Sequence, residues 1–452
     1  MIFDEMEFGS YDRAERKVRK AYELYEDGKM VQALDELDGA LEINPANSAW
    51  HFNKALTLDS MSRFEEAIAE YEAALQLSPE DVEILNSLAV DYTRTGQYDL
   101  AIDTFEHIQQ TDPEFEPCYC NRIIAYTEMG LHDQAEQMFY LAQQIKPDCA
   151  LCYYNIGNSL FAREEYKKAV GCWLRTADLD PTHPQINYRI AQAYWSDGDL
   201  SRARQYFLLE LRDNPGDTDV ILDFGLFLLE QEQIDAAREK FNRILEMDPD
   251  FAPAMFYLGE IERDAGCRKE AASWFEKAQA HDEKLPGVSF RLAQCALADE
   301  RPEEVKSHLV SELKRWPEST EVLVAMGAMF AEIDEPNYAT HCLLRALELD
   351  RTNADANYYL GLISARQAMF DDALRFFRQA LESDEHHLGA LVQTASACLQ
   401  TEKLDQAWEN ISKAHELSGD EPAVRTLYGR IRMARMRRRL AGPLGRFKIS
   451  RK

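Results

Sequence analysis

Apolar residues in this chain fall at helical spacing, and small residues recur at the centres of the helices they mark. In residues 150–183, Tyr153, Ile156, Gly157 and Leu160 form one stripe, and Ala169, Trp173 and Thr176 form a second. At about 100° per residue, each stripe occupies one face of a helix. The polar stretch between them is short, so the spacing predicts two helices paired antiparallel. Pro181 ends the second helix, because proline lacks an N–H and biases the residue before it away from helix. Gly157 and Ala169 sit where the two helices must approach closely. A larger residue there would overpack the contact, at roughly 1–3 kcal/mol.

The same pattern returns every 34 residues. Counted from Ala33 in that step, alanine occupies eleven of twelve positions, and Val305 the other. Four residues further on lies a large apolar residue, as at Leu37, Tyr71, Phe105, Trp173, Phe275 and Phe377. Twelve residues earlier lies, in most cases, a small one, as at Ala21, Gly157, Gly259, Gly327 and Gly361. Twelve residues later lies a proline at Pro45, Pro79, Pro113, Pro147, Pro181, Pro215, Pro249 and Pro317. A register held this long marks a repeat architecture: one helix pair cannot bury its own apolar face, so neighbours must stack. Residues 14–421 make twelve repeats, each numbered here from position 1 to 34.

The residues at positions 8, 20, 24 and 32 resemble the tetratricopeptide repeat (TPR) family. The resemblance implies an all-α, right-handed superhelical solenoid of about twelve helix-turn-helix repeats with a C-terminal capping helix. It divides the chain into an N-terminal segment 1–13, the array 14–421, and a capping helix with basic tail over 422–452. Val424, Leu427, Tyr428 and Ile431 form the stripe of that last helix, and Gly442-Pro443 is expected to break it. Repeat 9 departs most from the pattern, with Ser289, Pro302 and Val305, and the stretch HDEKLPG, 281–287, is a candidate hinge beside it.

Candidate chemistry is sparse. Phosphate-binding loops, dinucleotide fingerprints, metalloprotease helices and nucleophile elbows are all absent from the sequence. No segment of about 100 residues lies outside the array to form a catalytic domain, so neither an enzyme nor a cofactor is expected. No apolar run approaches the roughly 18 residues of a membrane span, so the chain is not read as an integral membrane protein. The charged N-terminus lacks a signal-peptide core, which points to a cytoplasmic location.

Nine cysteines, an odd number, read as reduced thiols. Four of them lie close in sequence: Cys118, Cys120, Cys149 and Cys152. Cys118 and Cys152 share position 3, where family members often bury an alanine, and free cysteine behaves as a small hydrophobe. Equivalent positions in adjacent repeats are expected about 8–10 Å apart or more, so these thiols are not expected to share a metal.

Binding is expected on the outer face of each first helix, positions 2, 5, 6, 9, 12 and 13, which the resemblance places along the concave groove. Repeats 2–6 supply the amides Asn53, Asn86, Asn121, Asn155, Asn158 and Gln192, with Arg189, flanked by Phe52, Tyr154, Tyr188 and Trp195. Amides both donate to and accept from a peptide backbone, and aromatics add contact area at low entropy cost. Asn53, Asn121 and Asn155 all occupy position 6. That is similar to the asparagine ladder in the TPR region of the glycosyltransferase that modifies Ser/Thr with N-acetylglucosamine. The carboxylate clamp of chaperone-binding TPR proteins is not completed by any three successive repeats. Repeats 7–8 supply an acidic zone of Asp219, Asp223, Glu230, Glu260 and Asp264.

Charge is distributed unevenly. The formal net charge is −30, yet residues 425–452 hold eleven Lys/Arg and no Asp/Glu. The rest of the chain therefore sets 39 cations against all 80 carboxylates, near −41. Such a body opposes a polyanion and disfavours nucleic acid as a ligand. The tail residues Arg437, Arg438, Arg439, Arg446, Lys448, Arg451 and Lys452 are expected to make a weak, salt-sensitive protein contact, including self-association. A protein or peptide ligand in the groove makes the chain an interaction scaffold. The alternatives are an adaptor for nucleic acid or membrane through the tail, and the regulatory subunit of a separate enzyme.

Overall fold

The structure is a computed structural model. It describes the backbone of residues 2–315 and 317–444, and the side chains of residues 13–315 and 317–438. Among the described residues there are 25 α-helices and no strand. They group into two compact units that divide between Phe227 and Leu228, inside the helix Thr218–Glu230.

The 34-residue register is visible in the helix boundaries. Every second helix of a repeat begins at position 17, from Met30 in repeat 1 to Leu404 in repeat 12. First helices begin at position 1 in most repeats, as at Ser48, Val82, Glu116 and Ala150. Repeat 1 is an exception, its first helix starting earlier at Ile2, and so are Ile186 and Val288, which start two residues late, where Pro184 and Pro286 occupy position 1. Position 15, in the turn of each hairpin, is left-handed throughout, from Gly28 (φ 74°) to Glu402 (φ 60°). Glycine occupies it only at Gly28, Gly96, Gly130, Gly198 and Gly266; Ser62, Glu164, Ala368 and others hold the same conformation with a side chain.

The two small positions have a packing cause. All twelve residues at position 20, from Ala33 to Ala407, are fully buried. A Cβ on Gly157 would stand 2.6 Å from Trp173 Cδ1, one on Gly259 2.6 Å from Phe275, and one on Gly327 2.6 Å from Leu343. Position 8 is thus small because the position-24 side chain of the same repeat lies flat against it.

Repeat 9 absorbs its departures. Pro302 is the first residue of the helix Pro302–Leu313, where a missing N–H costs nothing. The candidate hinge, 281–287, lies inside the second unit and is tied down. The Arg315 guanidinium donates to the Leu285 carbonyl and Ser289 Oγ (3.3 Å each) and to the Glu283 carbonyl. The same side chain pairs with Glu312 at 3.0 Å, and Glu312 in turn accepts from the Gly287 N–H at 3.0 Å.

The last helix, Pro422–Leu444, buries Val424, Leu427 and Ile431 against the same cluster as Leu391, Ala407 and Ile411. Tyr428 stacks on His415 with ring centroids 4.5 Å apart. Gly442-Pro443 does not break this helix as the sequence suggested; it falls in the final turn. Proline there forfeits one intrahelical hydrogen bond, and that loss does not halt the helix before Leu444.

Candidate functional site

The first-helix face of the N-terminal unit carries a cleft of about 140 Å³. It opens between the helices Ile2–Glu26 and Ser48–Ser60 and is lined by Val18, Tyr22, Tyr25, Asn53, Leu56 and Thr57, with Ala21 and Leu37 at its base. Tyr22 is 66% exposed, and Tyr25 reaches Ser60 Oγ with its hydroxyl at 2.7 Å. Asn53 is exposed at the rim. Val18, Tyr22 and Tyr25 occupy positions 5, 9 and 12 of repeat 1, the same periodic positions as the groove residues of repeats 2–6. The sequence reading places the groove in repeats 2–6; this cleft adds repeat 1 residues of the same periodicity beside Asn53.

The remaining groove amides are largely engaged. Asn121 Nδ2 donates to Asn86 Oδ1 at 3.0 Å, linking repeats 3 and 4, and both residues stay half-buried. Asn155 is only 4% exposed, and its Nδ2 donates to the Cys120 carbonyl at 3.1 Å. Its expected place on an open face is therefore corrected: position 6 of repeat 5 points into the contact with repeat 4. Asn158 is half-buried.

The aromatics are shared with the core. Phe52 packs on Tyr71 (5.8 Å between centroids), Tyr154 on His183 (4.3 Å), and Trp195 on Phe207 and Phe227 (6.1 and 5.8 Å). Tyr188 and Gln192 converge on Asp223 Oδ2, donating at 2.7 and 3.0 Å, while Arg189 donates to Gln192 Oε1 at 3.4 Å. Burial and the Asp223 carboxylate push the Tyr188 hydroxyl well above its ordinary range, so it remains a donor.

The acidic zone is less acidic than its sequence. Asp223 is held by neutral donors, and Glu260 meets Arg291 through both oxygens, at 2.8 and 2.9 Å, and Arg263 at 3.0 Å. Asp264 pairs with Arg263 at 2.8 Å. Asp219 and Glu230 are exposed. Asp219 and Asp223 belong to the first unit, and Glu230, Glu260 and Asp264 to the second.

In the basic tail, Arg437 and Arg438 are exposed on the last helix. The side chain of Arg439, and Arg446, Lys448, Arg451 and Lys452 altogether, lie outside the described residues.

The cysteines depart from expectation. Cys118 behaves as the sequence suggested: it is fully buried, its Sγ donates to the Phe105 carbonyl at 3.3 Å, and burial pushes the thiol up to about 12. The other three do not stay apart. Cys120, Cys149 and Cys152 meet Glu116, with all four ligand atoms within 4.8 Å of one another. The expected separation applies to equivalent positions in adjacent repeats. Here position 5 of repeat 4 faces the junction residue Cys149 and position 3 of repeat 5, which are not equivalent to it.

Among the described residues, no helix is long and apolar enough to cross a membrane. The family model described as the Psidin N-terminal TPR repeats region matches residues 15–156, and the tetratricopeptide repeat model matches residues 154–218 and 222–287. The chain is 22% identical over 268 residues to the TPR repeat-containing protein YpiA of Bacillus subtilis, covering 59% of this chain and 63% of that protein. It is 25% identical over 205 residues to the human protein O-mannosyl-transferase TMTC3, covering 42% of this chain and 22% of that one. The match thus spans less than two thirds of either relative. Among solved structures, yeast Tom70 is similar at 14% identity over 95% of this chain and 97% of its own, with a TM-score of 0.37.

Proposed function

Because the chain belongs to the tetratricopeptide repeat family, whose members commonly mediate protein–protein interaction, we propose that it is a non-catalytic scaffold holding an extended protein segment along the first-helix faces of its N-terminal unit. The observation that carries this reading is the cleft between repeats 1 and 2. Its wall is aromatic and apolar, its rim holds an exposed amide at Asn53, and Tyr22 is largely open to solvent. Such a site takes an apolar or aromatic anchor side chain, and the rim amide meets the backbone beside it. The half-buried Asn86–Asn121 pair extends the polar track along the same face. The transferase named among the relatives matches over 22% of its length, and its activity is not carried over to this chain.

Peptides selected from a random phage library against the purified chain provide the test. Their affinity, read by fluorescence anisotropy, is expected to fall at least about tenfold in Tyr22→Ala/Asn53→Ala, a loss of about 1.4 kcal/mol. Unchanged affinity in that variant would place the binding surface elsewhere.

A further inference from the structure

We propose that Glu116, Cys120, Cys149 and Cys152 form a closed, four-coordinate site for a zinc-class cation that staples repeat 4 to repeat 5. Glu116 and Cys120 lie one turn apart on the helix Glu116–Glu128, so both project from one face. Cys149 is the N-cap of the helix Ala150–Ala162, and Cys152 follows on its first turn. Each helix contributes two donors, and the pairs face each other.

The distances suit a tetrahedral ion. Zinc–sulfur bonds of about 2.3 Å and zinc–oxygen bonds of about 2.0 Å require donor–donor edges of roughly 3.5–3.8 Å. Here Cys152 Sγ and Glu116 Oε1 are 3.0 Å apart, and no pair of ligand atoms exceeds 4.8 Å. The tetrahedral edges fall between these two spacings. Thiolates select zinc over magnesium or calcium, which take oxygen donors, and four protein donors leave no open position for catalysis.

Filling space does not account for these residues. A buried hydrophobe has no use for a carboxylate, yet Glu116 aims its own at Cys152. Nor does capping explain Cys149. Other repeats place at that N-cap either a strong cap (Asn47, Asp81, Ser319 or Asn353) or a residue that does not cap (Phe115, Phe251), whereas a thiol is a weak acceptor.

Outer contacts also favour sulfur anions. The Cys152 N–H donates to Cys149 Sγ at 3.4 Å, and Asn155 Nδ2 lies 3.5 Å from Cys120 Sγ while donating to the carbonyl of the same residue. Such donors orient ligands and stabilise thiolates. The helix N-terminus adds positive potential at Cys149.

The test uses the full chain, expressed without chelator and purified under reducing, anaerobic conditions. Elemental analysis is expected to find about one equivalent of zinc, lost in Cys120→Ser and in Cys152→Ser but kept in Cys118→Ser. Cobalt(II) added to the metal-stripped wild type is expected to give thiolate charge-transfer bands and the intense d–d bands of a tetrahedral site. That measurement needs no variant to fold. A reduced wild type that gives no cobalt spectrum overturns the proposal. So does a disulfide between two of these three cysteines in the anaerobic protein, or zinc that persists in Cys120→Ser.

Discussion

The indole of Trp173 lies across Gly157, and its Nε1 donates to the Tyr154 carbonyl at 3.2 Å. Large and small residues, sixteen apart in sequence, form one contact, and the hydrogen bond fixes the ring's orientation over a backbone that has no side chain to displace it. Gly157→Ala is therefore expected to destabilise the N-terminal unit by roughly 1–3 kcal/mol, despite alanine's better helix propensity. Gly171→Ala, where an added Cβ meets nothing within 4 Å, is expected to stabilise by about 0.5–1 kcal/mol. Urea denaturation of both variants checks the opposite signs.

Ala368 holds the left-handed turn position at φ 62°. An L-residue there costs roughly 1–2 kcal/mol, and glycine returns about half of that gain as unfolded-chain entropy. Ala368→Gly is expected to stabilise the C-terminal unit by about 0.5–1 kcal/mol, read as a higher urea midpoint with an unchanged slope.

Asp91 is 1% exposed, and its Oδ2 has no hydrogen-bond partner. Arg94 lies 3.2 Å from its Oδ1 but also pairs with Asp59, whose like charge disfavours ionisation of Asp91. Burial first, and Asp59 second, push the Asp91 carboxyl up to about 7. The folded state keeps a proton that the unfolded chain releases near pH 4, so stability is full below pH 4 from this group and falls as pH rises towards 7. A displacement from about 4 to about 7 corresponds to a loss on the order of 4 kcal/mol, and Asp91→Asn is expected to flatten it. Melting temperatures measured from pH 4.5 to 8 distinguish the two profiles, and parallel profiles would count against the shift.

Asn155→Ala is expected to destabilise by about 1–2 kcal/mol, because it removes a buried donor from the Cys120 carbonyl. Asn53→Ala, at an exposed rim, is expected to change stability by less than about 0.5 kcal/mol. Thermal melts of the two single variants separate a residue that joins repeats from one that is available to a ligand.

The sequence alone determined the 34-residue register, the helix pairs, and which positions are packed. Periodicity at 100° per residue assigns each side chain to a face of its own helix, and Gly157, Ala169 and Trp173 were legible on that ground. The tertiary structure decided which groove residues remain open. Asn53 and Asn155 share position 6, yet one is exposed and the other buried, because the contact between adjacent repeats differs along the array. It also decided that Glu260 is neutralised by Arg291, 31 residues away, and that Cys120 meets Cys149 and Cys152 while Cys118 does not. Face assignment is a one-helix property, whereas distances between side chains depend on how neighbouring repeats pack and on which rotamers that packing admits. No spacing rule along a single chain contains those distances.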